Sequence, residues 1–104
     1  MLDPDNGLDV EIKQPWEYFP LDMQLASRIR TGDEISLVDE VIIENQGKVT
    51  GSIDIALGQK SYSGTIAQVE VSGGTDGENY KITYRCTTLA GDRVEADGMI
   101  WVRD

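Results

Sequence analysis

Apolar and polar side chains alternate with a period of two along most of the chain, which is the pattern of half-buried β-strands. The clearest case is residues 80–88, where one face is apolar and the opposite face carries Lys, Thr and Arg. Residues 93–103 alternate in the same way. Between these two stretches, Ala90-Gly91-Asp92 has the residues of a tight turn, so the sequence predicts a β-hairpin.

Further strands are predicted upstream of this hairpin from the same alternation. In one of them Asp39 and Glu40 interrupt the apolar row. We expect a β-bulge or a short break there, because an unpaired Asp39 pointing inward would be costly. Residues 21–30 fit either a strand or a short helix. The stretches with strand-like alternation are residues 35–43, 49–57 and 65–71.

About seven short strands separated by Gly-, Asn- and Asp-rich turns favour a β-sandwich over a barrel or an α/β fold. A more specific signal is the segment from Asp76 to Tyr80, which places a tyrosine at the start of the penultimate strand. Immunoglobulin-like sandwiches have a tyrosine corner at this place, in which the phenol hydrogen-bonds to the backbone just upstream. The sequence therefore predicts an all-β fold, an immunoglobulin-like antiparallel β-sandwich with Asp76 and Tyr80 at the corner. The simpler alternative is a strand that merely begins with Tyr80.

The composition limits the chemistry available to the protein. The chain has 104 residues, enough for one domain, with no histidine and a single cysteine, Cys86. One cysteine cannot form an internal disulfide, and without histidine the commonest metal ligand and the usual proton shuttle near pH 7 are missing. Cys86 falls on the apolar row of its strand, so we interpret it as a core residue. We expect no cofactor and no metal site.

The charge indicates which partners the protein can have. The chain carries 19 Asp and Glu against 9 Lys and Arg, a net charge of −10. Such a charge repels a phosphate backbone, so we expect no nucleic-acid partner. We expect a protein partner to be basic, or its contacts to avoid the acidic faces. No apolar stretch approaches the ~20 residues of a membrane span and no secretory signal is visible, so we expect synthesis in the cytoplasm and no membrane partner.

Two features suggest other chemistry, and we interpret neither of them that way. A pair of carboxylates can hydrolyse a glycosidic bond, but most acids here lie at turns or on the polar rows of strands, so we expect no catalytic residue. The segment Asp3-x-Asp5-x-Gly7 resembles the start of a calcium loop, yet Gln14 stands where such a loop needs its bidentate acid. We interpret this segment as an acidic arm.

Large apolar residues on the last predicted strand suggest a contact surface. If Ile100 and Val102 face the core, strict alternation sends Met99 and Trp101 outward. Exposed Met and Trp are typical of protein interfaces. The alternative is a β-bulge at Gly98, which would turn Met99 and Trp101 inward and leave Ile100 outside. The alternation does not decide between these two arrangements.

A second aromatic cluster comprises Trp16, Tyr18 and Phe19, in an extended piece bounded by Pro15 and Pro20. These aromatic residues either fix the N-terminal segment on the sandwich or bind a partner, and we expect the former. The predicted organisation is an extended segment at residues 1–20 that packs on a sandwich at residues 21–104. The candidate interface residues are Met99, Trp101, Trp16, Tyr18 and Phe19.

Several motifs taken together resemble the small phage structural proteins that act as fibre-tail adaptors or head-tail connector components. The matching motifs of the C-terminal half are a turn and strand, a hairpin and an apolar closing strand. Those of the N-terminal half are an acidic opening and a turn that precedes a strand. They are Gly73-Gly74-Thr75 to Tyr80, Gly91-Asp92-Arg93, Ile100-Trp101-Val102, Asp3-Pro4-Asp5, Leu25-Ala26-Ser27 and Gly32-Asp33-Glu34-Ile35.

The resemblance implies an immunoglobulin-like sandwich that is a structural component of a phage or prophage virion, with no enzymatic activity. It implies binding to other tail, connector or fibre proteins, and a place in the tail or neck region. Self-association into a ring is compatible with it, because repeated head-to-tail contacts between identical subunits can close. The alternative function, from another class, is an adhesive or carbohydrate-binding sandwich.

Overall fold

A computed structural model describes residues 8–47 and 54–104 of the protein. The described residues form seven strands and one short 3₁₀ turn, at Ala26–Arg28, and no disulfide. The predicted all-β class is therefore confirmed. The strands are β1 (Val10–Lys13), β2 (Tyr18–Gln24), β3 (Ile35–Asn45), β4 (Ile55–Ser63), β5 (Ile66–Gly73), β6 (Asn79–Thr88) and β7 (Arg93–Val102).

The predicted hairpin and the predicted bulge are both present. β6 and β7 pair antiparallel, and Gly91 takes a φ of 92° in the turn between them, a conformation that favours glycine. β3 pairs with β6, and its register shifts between Ile35 and Leu37 and again between Val38 and Glu40. The second shift makes Asp39 an extra residue, which leaves it exposed while Val38 is buried in the core.

Other sequence expectations are met in part or lie outside the described residues. Residues 21–30 contain both alternatives, since β2 ends at Gln24 and the 3₁₀ turn follows. Only the end of the predicted 49–57 strand is described, and there Ile55 begins β4. Val49, Gly51 and Ile53 lie outside the described residues, as does the Asp3–Gly7 segment.

The seven strands form two sheets that enclose one hydrophobic core. One sheet has the order β1-β7-β6-β3 and the other has the order β2-β5-β4. All pairs are antiparallel except β1 with β7, which is parallel. The Tyr84 hydroxyl crosses from the first sheet and donates a hydrogen bond of 2.8 Å to the Leu21 carbonyl of the second. The buried core residues are Leu25, Ile29, Ile35, Val38, Ile55, Ala67, Val69, Val71, Tyr80, Ile82, Tyr84, Cys86, Ile100 and Val102.

The N-terminal strands belong to the two sheets themselves. β1 pairs with β7 over four residues, and β2 pairs with β5 over seven. β2 runs across the division that the sequence predicts between residues 20 and 21. The immunoglobulin-like detail of the fold and the division into two segments stay predictions.

Candidate protein interface

Met99 and Trp101 lie on the outer face of the four-stranded sheet. β6 and β7 pair without a register shift, so no bulge occurs at Gly98 and that alternative is wrong. Ile100, between Met99 and Trp101, is fully buried in the core, which sends its two neighbours to the opposite face. Met99 is nevertheless only 3% exposed. β1 and β6 flank β7 at this point, with Val10 and Lys81 as the register partners of Met99, so Met99 lies on the outer face without being exposed.

Trp101 keeps part of its side chain at the surface. Its register partner on β1 is Ile12, which is 48% exposed, and the two form an apolar patch on the outer face. The Arg103 guanidinium lies 5.4 Å from the centre of the Trp101 ring, a cation–π distance. The indole Nε1 is buried and has no acceptor among the described residues.

Trp16 is presented on a turn between the two sheets. The turn spans Gln14 to Glu17 and is closed by a 3.1 Å hydrogen bond from the Glu17 N–H to the Gln14 carbonyl. Pro15 occupies the second position of this turn, where its fixed φ is favourable. The Trp16 side chain follows and is 93% exposed. This tip therefore displays a tryptophan to the solvent at one end of the sandwich.

The Lys13 side chain fixes the Trp16 tip, which is the turn from Gln14 to Glu17, by hydrogen bonds. Its side chain is fully buried, and its ammonium donates to the Gln14 carbonyl at 2.8 Å and to the Gly73 carbonyl at 2.7 Å. A longer bond of 3.4 Å reaches the Pro15 carbonyl. Burial lowers the pKa of the Lys13 ammonium from its ordinary value, and the charge of Glu17 partly opposes this. A buried cation with several carbonyl acceptors thus ties the turn to the end of β5.

The other two aromatic residues of the cluster divide between the faces of β2. Tyr18 is 61% exposed, and its hydroxyl bonds with Glu70, which raises the pKa of the phenol. Phe19 is half-buried and packs against the core from the inner face. The N-terminal segment is thus held by strand pairing, by Phe19 and by Lys13, while Trp16 and Tyr18 stay accessible.

A groove opens along the side of the sandwich where β1 and β2 form the edges of their sheets. Its volume is about 480 Å³. Half-buried Leu21 and Met23 of β2 and buried Ile82 of β6 line it, so its floor is apolar. Asp9 and Glu11 of the β1 segment stand at its margin and are exposed.

The Tyr80 side chain lies at the start of β6 and is fully buried. Its hydroxyl accepts a 3.0 Å hydrogen bond from the Thr75 N–H, five residues upstream. Gly74 takes a φ of 94° in this loop, and a Cβ there would meet a Val102 methyl at 2.8 Å. Asp76 is exposed and accepts a hydrogen bond from the Asp104 N–H at 2.9 Å.

Two groups that could perform chemistry, the Cys86 thiol and the Asp33 carboxyl, have environments that do not favour it. Burial raises the pKa of the Cys86 thiol, so its reactive thiolate is disfavoured. The nearby Thr88 hydroxyl and the Glu34 and Ala90 N–H groups, which donate to Asp33 Oδ1, lower the pKa of the Asp33 carboxyl, the opposite of what a general acid needs. Within residues 8–47 and 54–104, no group of three or more His, Cys, Asp and Glu residues is arranged to hold a metal ion.

The described part of the chain has no helix of the length and apolar character needed to span a bilayer.

The alternation did not single out several residues that the structure makes prominent. Val10-Glu11-Ile12-Lys13 alternates with a period of two, and that signal could have predicted β1. The burial of Lys13 could not have been predicted, since lysine is rarely buried. Further exposed apolar side chains are Leu37, Tyr62, Ile66 and Leu89.

Comparison with known proteins supports one family. No curated protein matches the chain. The model of the family described as "Podophage GP4 fiber-tail adaptor protein gp77" matches residues 13–101, which includes all of β2 to β6 and nearly all of β7. The predicted resemblance to phage fibre-tail adaptors is thereby confirmed, and the chain belongs to the podophage GP4 fiber-tail adaptor protein gp77 family.

Proposed function

We propose that this tail adaptor binds its neighbours in the virion through the Trp16 tip, Tyr18 and the Ile12–Trp101 patch, and that it catalyses no reaction. Its family makes it a structural component of the phage tail, which binds other tail proteins. What the proposal adds is the surface used. The observation that carries it is the 93% exposed Trp16 on a turn fixed by a buried lysine.

A fixed, exposed tryptophan is well suited to anchor a complex. Tryptophan is the residue type most enriched at the energetic centres of interfaces, and a side chain that is already positioned loses little conformational entropy on binding. Lys13 supplies that positioning through its bonds to Gln14 and Gly73. Trp101 adds a second apolar contact beside the half-exposed Ile12.

The strand order supports the immunoglobulin-like part of the proposal. In immunoglobulin sandwiches strands B, E and D share one sheet and strands C, F and G the other. β2-β5-β4 and β3-β6-β7 have the same order if β2 is taken as strand B. The bond between Tyr80 and Thr75 then falls at the start of strand F, where the tyrosine corner belongs.

The remaining elements of the proposal follow from charge and symmetry. A net charge of −10 disfavours contact with nucleic acid and keeps subunits soluble before assembly. Synthesis takes place in the host cytoplasm, followed by incorporation into the tail. A ring of subunits would bring the Trp16 tip of each copy to equivalent positions on the neighbouring protein.

Binding of purified variants to tail particles assembled without this protein tests the proposal. Trp16→Ser should fold as the wild type does and bind about tenfold or more weakly, the loss typical of a central aromatic contact. Leu89→Ser is the matched control, because Leu89 is 70% exposed in the β6–β7 turn. Equal binding by wild type and Trp16→Ser would contradict the proposed surface. Binding to a glycan array through Trp16, with no binding to tails, would favour a carbohydrate-binding module instead.

A further inference from the structure

The four edge strands of the two sheets differ in how they are protected against further strand pairing. An unprotected edge is a template for another chain, and proteins block it with proline, bulges or lysine. β2 carries Pro20, which has no N–H to donate. β3 carries extra residues at two register shifts, and β4 has a further shift before Lys60. β1 pairs with β7 in continuous register and has neither proline nor bulge. Its protection is limited to its length of four residues and to the charged Glu11 and Lys13, and the Lys13 ammonium is bound to the Gln14 and Gly73 carbonyls.

β1 directs backbone groups to its open side. The carbonyls of Asp9 and Lys13 accept hydrogen bonds of 2.8 Å from the Met99 and Arg103 N–H groups of the β7 segment. Since backbone groups alternate in direction along a strand, those of Val10 and Ile12 point away from β7. Of the strands that the structure describes, only β7 pairs with β1. Ile12 is 48% exposed and Val10 only 9%, so the template that this edge offers to an added strand is short and centred on Ile12.

Acidic side chains surround the β1 edge, and the groove beside it is lined by apolar side chains. Between Leu8 and Gln24 the acids Asp9, Glu11, Glu17 and Asp22 stand against one basic residue, Lys13, whose ammonium is buried and bound to carbonyls. The groove behind the edge is floored by the apolar side chains of β2 and β6. The cleft on the opposite side is smaller, about 330 Å³, and Lys60 of β4 lines it beside the bulged β3.

We propose that the β1 edge binds an extended basic segment of another tail protein as an added strand, with the segment's apolar side chains in the groove. The proposal deepens the proposed function, on which it rests, by naming the kind of partner. Main-chain hydrogen bonds to Val10 and Ile12 give affinity, and alternate side chains give specificity. Asp9 and Glu11 attract basic residues and repel acidic ones.

The charge also selects among the occupants of the groove. A second copy of this chain carries a net charge of −10, so Asp9 and Glu11 repel it. The N-terminal residues of the chain include Asp3 and Asp5, so the same two acids repel that segment as well. A basic segment from a different protein is instead attracted by these acids. Four residues of β1 allow only a few ladder bonds, so the charges and the apolar floor must supply much of the affinity.

Titration with two synthetic peptides tests the proposal in isolation. An eight-residue peptide of alternating Lys and Val and its Glu and Val counterpart are added to isotope-labelled protein, and the amide signals are followed by NMR. The basic peptide should shift the signals of Val10 and Ile12, and the acidic peptide should not bind. Shifts confined to β3 and β4, or equal binding of both peptides, would overturn the proposal.

Two pairs of variants separate strand addition from general attraction. Ile12→Pro removes the outward N–H and should weaken binding of the basic peptide about tenfold or more, whereas Ile12→Val keeps it. Asp9→Lys with Glu11→Lys should reverse the preference towards the acidic peptide. Glu34→Lys with Asp104→Lys makes the same change in net charge at exposed acids outside the groove. This control pair should not reverse the preference between the two peptides. If both double variants lost binding of the basic peptide equally, the peptide would be attracted by the overall charge alone, and the proposal would be overturned.

The same variants distinguish failure of this proposal from failure of the proposed function. Wild-type protein that binds tail particles while Ile12→Pro binds equally well would overturn strand addition and the part of Ile12 in the adaptor surface, and it would leave the Trp16 tip and Tyr18 standing. Wild-type protein that does not bind tail particles would overturn the proposed function itself.

Discussion

The two long sides of the sandwich are built differently. On the side of β3 and β4, the edges of the two sheets contact each other, and the Lys60 ammonium reaches the Asp39 carbonyl at 3.5 Å. On the side of β1 and β2, a groove of about 480 Å³ separates the edges. The Tyr84–Leu21 bond joins the sheets near this open side.

This difference between the two sides follows from a few residues in the edge strands, and it indicates which side binds a partner. Extra residues interrupt the register of β3 and β4, whose edges contact each other, whereas β1 keeps a continuous register and β2 carries Pro20. The closed side contributes to the stability of the fold. The open side holds the exposed aromatic tip, the apolar groove and the one edge strand, among those described, that has neither proline nor bulge, so binding is expected there.

The largest expected contrast is between two isoleucines on opposite edges of the same sheet. Ile35 begins β3 and is buried, while Ile12 lies on β1 and is about half exposed. Ile35→Ala should lower the free energy of unfolding by about 2–5 kcal/mol, because it leaves a cavity in the core. Ile12→Ala should lower it by less than about 1 kcal/mol. Denaturant unfolding of both variants checks this, and equal losses would contradict the contrast between the two sides.

The next contrast is between two lysines. Lys13→Met should cost about 1–3 kcal/mol, because the Gln14 and Gly73 carbonyls lose their charged donor. Lys60→Met removes only a long bond at an exposed site and should leave the midpoint of unfolding nearly unchanged. Lys13→Met should also weaken binding to tails through the tip. A Lys13→Met protein with wild-type stability and binding would show that Lys13 does not position the turn.

A smaller effect with a distinct pH dependence is expected at Tyr84. Tyr84→Phe removes the bond to Leu21 and should cost about 0.5–1.5 kcal/mol near pH 7. Burial, with a contribution from Asp22, raises the pKa of Tyr84 well above the ordinary value of about 10. In the unfolded chain the phenol ionises near pH 10, so its contribution to stability is complete below that pH and is lost above it.

The wild-type advantage over Tyr84→Phe should therefore shrink as the pH rises beyond 10, as measured by urea unfolding at several pH values. Tyr62→Phe, at an exposed tyrosine on the closed side, is the control and should change little. An advantage that stays constant from pH 8 to pH 11, a range centred about the ordinary phenol pKa, would contradict a buried, hydrogen-bonded Tyr84.

The smallest effect is expected on the outer face of the four-stranded sheet. Arg85 pairs with Glu95 at 2.6 Å and with Glu40 at 3.0 Å, and these contacts raise its pKa. All three side chains are about half exposed, so their attraction is screened by water and salt. Arg85→Gln should lower the melting temperature slightly at low salt and not measurably in 1 M NaCl. A large loss that persists in salt would mean that this face is part of the core structure.

Alternation of apolar residues was sufficient to predict the strands of the C-terminal half. The β6–β7 hairpin and the bulge at Asp39 were predictable because turn residues and an acid in an apolar row have direct structural consequences. The position of Met99 was not. Alternation left two faces open for it, and its burial depends on β1 lying beside β7, a contact between residues almost ninety positions apart.

The N-terminal segment was the harder part for the same reason. Its aromatic residues suggested that it packs on the domain, but pattern alone could not distinguish packing on the surface from joining the sheets. The fixing of Trp16 by Lys13 depends on the Gly73 carbonyl at the end of β5, which is distant in sequence. Alternation in the sequence depends on neighbouring residues only, whereas these contacts depend on how distant strands are arranged in the fold.

Hydrogen exchange of the protein in assembled tails, compared with the free protein, tests the open side most directly. The account predicts that the amides of β1, above all Val10 and Ile12, become protected in the tail while those of β3 and β4 exchange as before. Protection of β3 and β4 with no change in β1 would contradict it.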